Sequence, residues 1–156
     1  MLFRSMKFSS APFFGAYNNN ILFSLAGVHK LPEINEHAYR CLFRGAQLPG
    51  HTPKWSMNIF DSGIHFSQFI YMQIKYVQEF DENSEFYIST NVNNPDAGKS
   101  ARLHKTMMPR LAKQGYWDLI NPSMILYNTE QSLWKINVVN YMKSRENWLN
   151  TCNCTC

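Results

Sequence analysis

The chain has 156 residues, 45% of them apolar and 17% charged, with a formal net charge of +4. That length fits one domain with a sizeable core, and the composition excludes a disordered chain. The basic residues are scattered, and no run of five or six Lys/Arg exists to grip a phosphate backbone, so the charge reads as a solvated surface. Aromatic residues make up 15%, which favours strands. Met1 to Phe14 holds Arg4 and Lys7 but no apolar core with a cleavage site. The longest apolar run, Ile21 to Val28, is broken by Ser24 and too short to span a bilayer. A protein soluble in a cytoplasm, without a membrane-spanning segment, is expected.

The first predicted strand, Ile21–Ala26, follows an Asn18-Asn19-Asn20 turn. The second covers His37–Gln47, where Tyr39, Cys41 and Phe43 alternate with Arg40, Leu42 and Arg44, and it stops at Leu48-Pro49-Gly50. Trp55–Phe60 and Ile64–Phe66 flank Asp61-Ser62-Gly63 and read as a hairpin. Phe69–Val77 reads as the strongest strand, with Ile70, Met72, Ile74 and Tyr76 on one face and Tyr71, Gln73 and Lys75 on the other. Phe86-Tyr87-Ile88 is a strand or one helical turn. Lys99–Lys113 predicts a helix from Leu103, Met107 and Leu111 at spacing four, with Pro109 breaking or kinking it late. Met124–Tyr127 and Leu133–Tyr141 close the pattern as strands joined by Asn128 to Gln131.

No βαβ alternation is visible in this order. The expected fold is mainly β: an antiparallel β-sandwich or small barrel of six to seven strands with one or two short helices. The expected organisation is an N-terminal arm over 1–19, a β domain over 20–142 and a polar Cys-containing tail over 143–156.

Signals for catalysis are incomplete. Asn93 to Ser100 ends in Gly98-Lys99-Ser100 as a phosphate-binding loop does, but Asn93 stands where the first glycine belongs, and a turn before a helix explains the run. His29, His37, His51, His65 and His104 form no metal-ligand spacing. Asp81, Glu82 and Glu85 read as a solvated turn or a helix start. Cys152, Cys154 and Cys156 read as a frayed terminus with free thiols; soft-metal binding or cross-linking between chains is the other reading. Hence no catalytic, metal or cofactor residue is assigned, and a protein that is not an enzyme is expected. One enzymatic alternative stands. Arg40 or Arg44, then Ser89-Thr90, then Glu130 resembles the Arg…Ser-Thr…Glu order of NAD-dependent ADP-ribosyltransferases, in which the Glu steadies an oxocarbenium ion.

Four segments carry a broader resemblance: Asn20 to Ser24, Tyr39 to Gly50, Phe69–Val77 with Asp81-Glu82 and Val92 to Gly98, and Asn121-Pro122 with Leu133–Tyr141. In this order they resemble the tail tube proteins of long-tailed phages and contractile injection machines, and the baseplate proteins that initiate the tube. The resemblance implies a structural virion protein, made in the host cytoplasm, whose hexameric rings stack into a DNA-conducting tail tube. Its partners would be further copies of itself, other tail or baseplate proteins, a surrounding sheath, and DNA passing through without sequence-specific contacts. Pairing of edge strands between copies would satisfy exposed backbone groups, and a head-to-tail interface would close the ring. Residues expected at assembly contacts are Leu48, Pro49, Gly50, Trp55, Ile59, Phe60, Tyr71, Gln73 and Lys75.

Overall fold

The computed structural model describes residues 2–8, 11–18, 21–45, 59–92 and 98–151, with side chains for 14–15, 26–42, 67–92 and 105–147. The chain divides into two compact units, Met1–Ser84 and Glu85–Cys156. Among the described residues there are seven strands and three helices.

The first unit contains β1 (Leu2–Phe8), β2 (Ala11–Asn18), β3 (Ile21–Lys30), β4 (Ala38–Gly45) and α1 (Ile59–Gln78). Its strands form an antiparallel meander. β1 pairs with β2 from Leu2↔Tyr17 to Phe8↔Ala11, and β2 with β3 from Phe13↔Gly27 to Asn18↔Ile21. β3 pairs with β4 from Ser24↔Gly45 to Lys30↔Tyr39. The N-terminal stretch 1–19 thus carries two strands of this meander. The β3–β4 connection is fixed by its own backbone: Leu31 N–H donates to Ala38 O at 2.8 Å, and Ile34 N–H to Leu31 O at 3.1 Å. Leu31 and Ala38 are both fully buried, so the connection is an anchored corner.

The stretch Phe69–Val77 is helical, not extended. Phe69, Ile70, Gln73, Ile74 and Val77 are all at most 1% exposed, which is an i, i+1, i+4, i+5, i+8 stripe. Lys75 and Tyr76 face outward. The alternation of Ile70, Met72, Ile74 and Tyr76 misled because apolar residues continue past the stripe to Tyr71 and Met72, which are half-buried. A run apolar at seven of nine positions satisfies both periods, and length arbitrates: 20 residues are a helix. The expected Asp61-Ser62-Gly63 hairpin turn also lies inside α1. A helical glycine costs about 1 kcal/mol relative to alanine, which the packing of the later turns outweighs. The helix ends where Phe80 and Asp81 N–H groups donate to Val77 O at 3.1 and 2.9 Å.

The second unit contains β5 (Glu85–Asn91), α2 (Gly98–Lys113), β6 (Trp117–Leu126), β7 (Thr129–Ile136) and α3 (Val138–Thr151). β7 is central, antiparallel to β5 from Tyr87↔Lys135 to Asn91↔Gln131 and to β6 from Trp117↔Ile136 to Leu126↔Thr129. β6 slips register on both sides of Asn121, next to Pro122, which has no N–H to give the ladder. Tyr127 and Asn128 both adopt positive φ, 51° and 60°, a two-residue turn whose twist suits a hairpin. α2 runs through Pro109 and ends in a Schellman motif: Tyr116 N–H reaches Leu111 O at 3.1 Å, Gly115 N–H reaches Ala112 O at 2.9 Å, and Gly115 has φ +80°.

Leu133–Tyr141, expected as one strand, changes type at Asn137. The Asn137 side-chain oxygen accepts the Asn140 N–H at 3.1 Å, an N-cap that starts α3. Most of the expected polar tail 143–156 therefore falls in α3, and 152–156 lie outside the described residues. Each unit's ladder is linear, β1-β2-β3-β4 and β5-β7-β6, with no pairing among the described residues that returns one edge to the other. The β-rich expectation holds at that coarse level. The sandwich or barrel does not, because two predicted strand regions are helices and the ladders stay open.

Candidate functional site

Chemistry-bearing side chains gather at three places, each within one unit. The largest group sits where the β3–β4 connection meets the turn after α1. His37 Nδ1 lies 2.9 and 3.1 Å from the two Asp81 carboxylate oxygens, and Tyr39 donates its hydroxyl to Asp81 Oδ2 at 2.9 Å. A carboxylate only accepts, so His37 carries its hydrogen on Nδ1 and turns Nε2 outward, with Glu36 at 3.5 Å. The His37 side chain is 42% exposed and that of Asp81 10%. Lys30 caps the array: its ammonium donates to Glu36 O at 2.6 Å and sits 4.7 Å from the Tyr39 ring centroid. Burial alone would push the Asp81 carboxyl up, but the Tyr39 and His37 hydrogen bonds, with the His37 and Lys30 charges, outweigh it and hold it below the usual range. The Tyr39 hydroxyl is the largest cause raising Lys30. An imidazole held this way is oriented to exchange a proton through Nε2.

The second place lies between α1 and β4. Gln73 is fully buried and donates Nε2–H to Leu42 O at 3.2 Å. Its Oε1 is buried, and no described group donates to it. Cys41, the neighbouring β4 residue, is buried, and burial pushes its thiol far up.

The third is on β5 and β7. Glu85 accepts the Tyr87 hydroxyl at 2.5 Å and pairs with Lys135 at 3.0 Å. Burial, then Glu85, raises the Tyr87 phenol. Thr90 and Ser132 hydroxyls meet at 2.5 Å, and Trp134 Nε1 donates to Ser132 at 3.2 Å. No group of three metal-ligating side chains exists among the described residues, and no described helix is long and apolar enough to cross a membrane.

Of the expected assembly residues, Leu48, Pro49, Gly50 and Trp55 lie outside the described residues. Ile59 and Phe60 open α1 instead of closing a hairpin strand. Tyr71, Gln73 and Lys75 do not share one face: Tyr71 is half-buried, Gln73 buried and Lys75 exposed. Ser89-Thr90 lie on β5 and Glu130 on β7, where Glu130 accepts the Ser123 hydroxyl and Thr90 is engaged with Ser132. Gly98-Lys99-Ser100 begin α2, and 93–97 lie outside the described residues. His37 and Asp81 are 44 residues apart, and no local signal joins them. Only the return of the chain through α1 does.

Comparison with protein-family models and with curated proteins finds no match. Solved structures do match. FeeM, an N-acyl amino acid synthase from uncultured soil microbes, superposes with a TM-score of 0.51 over 86% of this chain and 76% of its own, at 14% identity. An acetyltransferase of the GNAT family from Streptococcus pneumoniae gives 0.47 over 81% and 67%, at 10% identity. Escherichia coli ElaA gives 0.46 over 81% and 69%, at 6%. The fold is therefore the one FeeM has. This overturns the tail-tube resemblance and, with it, the structural virion role, the stacked rings, the sheath and transiting-DNA partners and the virion location. The expectation of a protein without catalysis falls for the same reason, and the ADP-ribosyltransferase alternative finds no support. The short β segments that carried the resemblance are common to many folds, and one of the four, Phe69–Val77, is a helix.

Proposed function

We propose that this chain is an N-acyltransferase, which moves an acyl group from an activated donor onto the amine of a small acceptor. The observation that carries the reading is the correspondence with FeeM over 86% of the chain. FeeM is described as an N-acyl amino acid synthase, and an amino acid is the acceptor class we carry over as the first to test. In the reaction the amine nitrogen attacks the donor carbonyl, the new C–N bond forms as the donor's C–S bond breaks, and the proton lost by the nitrogen ends on the departing thiol. Amide formation from a free acid is uphill in water, so a thioester is the fitting donor.

The test is direct. The purified chain is mixed with octanoyl-CoA and the amino acids, and N-octanoyl products are sought by mass spectrometry against a protein-free control. Product above that control supports the reading. Its absence across acetyl, octanoyl and palmitoyl donors refutes it.

A further inference from the structure

Five basic residues that stand apart in the sequence, Lys99, Arg102, Lys105, Arg110 and Lys113, fall in one helix, α2, which holds no Asp or Glu. The whole chain has 15 Lys/Arg and 11 Asp/Glu. Outside α2 that leaves ten against eleven, a net −1, so α2 carries all of the excess positive charge. A helix turns by about 100° per residue, which places the five positions within an arc of about 140°. The opposite side carries Met108, fully buried, with Met107 and Leu111 half-buried, where α2 packs on β5 and β6. Lys105, Arg110 and Lys113 are exposed, as are Thr106 and Pro109 on the same arc. Lys105 donates to Val92 O at 3.0 Å, and no described carboxylate pairs with any of the three cations. Like charges on adjacent turns of a helix repel, and no acid among them relieves it.

We propose that this stripe is the docking surface for a partner protein that presents an acidic helix. The five positions average 3.5 residues apart, which is about 5 Å along an axis of about 21 Å. Carboxylates at every third or fourth residue of a facing helix have the same spacing, so the two rows match in sign and in period. Larger anions fit less well. A nucleic-acid duplex or a membrane runs past a stripe of this length on both sides and meets a remainder with no net positive charge. The arc has no large apolar side chain to insert into lipid, and α2 has no Phe, Tyr or Trp on which a base could stack. Docking of this kind does not depend on the acyl-transfer reading.

The probe is a fluorescent alanine-based peptide, cross-linked into a helix, with glutamate at every third or fourth position. Anisotropy with the purified chain at low salt should show saturable binding that weakens as salt rises. Arg110→Glu with Lys113→Glu should lower the affinity about tenfold. Lys75→Glu with Lys143→Glu, at exposed positions on α1 and α3, changes the net charge equally and should leave the affinity within about twofold. Arg110→Gln with Lys113→Gln should fall between wild type and the α2 reversal, and it carries the test if the reversal loses helix by circular dichroism. A peptide of the same composition with its glutamates in one block should bind more weakly. No binding by the wild type, unchanged affinity in the Arg110 and Lys113 variants, equal weakening by both reversed pairs, or equal binding of the two peptides overturns the inference. So does tighter binding to a short DNA duplex or to phosphatidylserine vesicles that the same Arg110 and Lys113 variants abolish.

Discussion

Val77 and Lys75 separate the helix from the strand by energy. In a strand the two would share a face and respond alike to truncation. In α1 Val77 is fully buried and Lys75 exposed. Val77→Ala removes two buried methyl groups at about 0.8 kcal/mol each and leaves a small void, which adds to the loss. Alanine's better helix propensity returns about 0.5 kcal/mol. The net destabilisation is about 2 kcal/mol. Lys75→Ala touches an exposed side chain and should stay within about 0.5 kcal/mol of wild type. Urea melts followed by far-UV circular dichroism at one protein concentration read both. The helical packing predicts a lower midpoint for Val77→Ala at unchanged slope, and a melting temperature lower by about 4–8 °C. Equal midpoints for the two variants would refute it.

Other outcomes follow from the same structure. Burial, then Arg40, lowers the His29 imidazole below its ordinary 6.5, with Glu33 only partly opposing, and Asp81 is also lowered. In both cases the unfolded chain binds protons first. Stability should therefore fall as pH drops below about 6.5 through His29, and again as pH falls through the carboxylate range near 4 through Asp81. Asp81→Asn should flatten only the second descent in melting temperature against pH, and a second descent of undiminished size would be the contrary result. Native Cys41 should resist iodoacetamide and label fully in urea, read by peptide mass mapping; rapid native labelling would contradict its burial and raised thiol. Gly115→Ala forces a side chain into φ +80° and brings its Cβ to 3.4 Å from Asn140 Nδ2. It should cost about 1–2 kcal/mol in a chemical melt, and a neutral result would argue against the Schellman end of α2.

Legibility in the sequence followed how unambiguous each local signal was. α2 could be read because Leu103, Met107 and Leu111 fit one period only, and its end at Lys113 agrees with the structure. β4 could be read from Tyr39 to Arg44 because Tyr39, Cys41 and Phe43 recur at every second position, with Arg40 and Arg44 on the opposite, mixed face. α1 could not, since Phe69–Val77 is too apolar for either period to be excluded. α3 was hidden by Val138 and Val139, which favour strands, although Asn137 before them is a capping residue. β1 and β2 carry no clean alternation of apolar and polar residues that would mark them as strands. The site was less legible than the fold. Tyr71, Gln73 and Lys75 read as one strand face in the sequence, whereas in α1 Tyr71 is half-buried, Gln73 buried and Lys75 exposed. The His37–Asp81 contact depends on a 20-residue helix and its exit turn. No window shorter than that separation contains it.

The junction around Gly115 has a bearing on how the second unit comes apart. Asn140 Nδ2–H donates to Gly115 O at 3.0 Å, and Asn137 N–H donates to Tyr116 O at 2.9 Å. These bonds sit just before β6 begins and just after β7 ends, so they buckle the mouth of that hairpin, while the Tyr127–Asn128 turn closes its tip. Fraying starts at a loose end, and this ladder has none. Amide hydrogens of the central β7 residues should therefore exchange only when α3 lets go, making the first turn of the C-terminal helix the latch on the slowest-opening part of the unit.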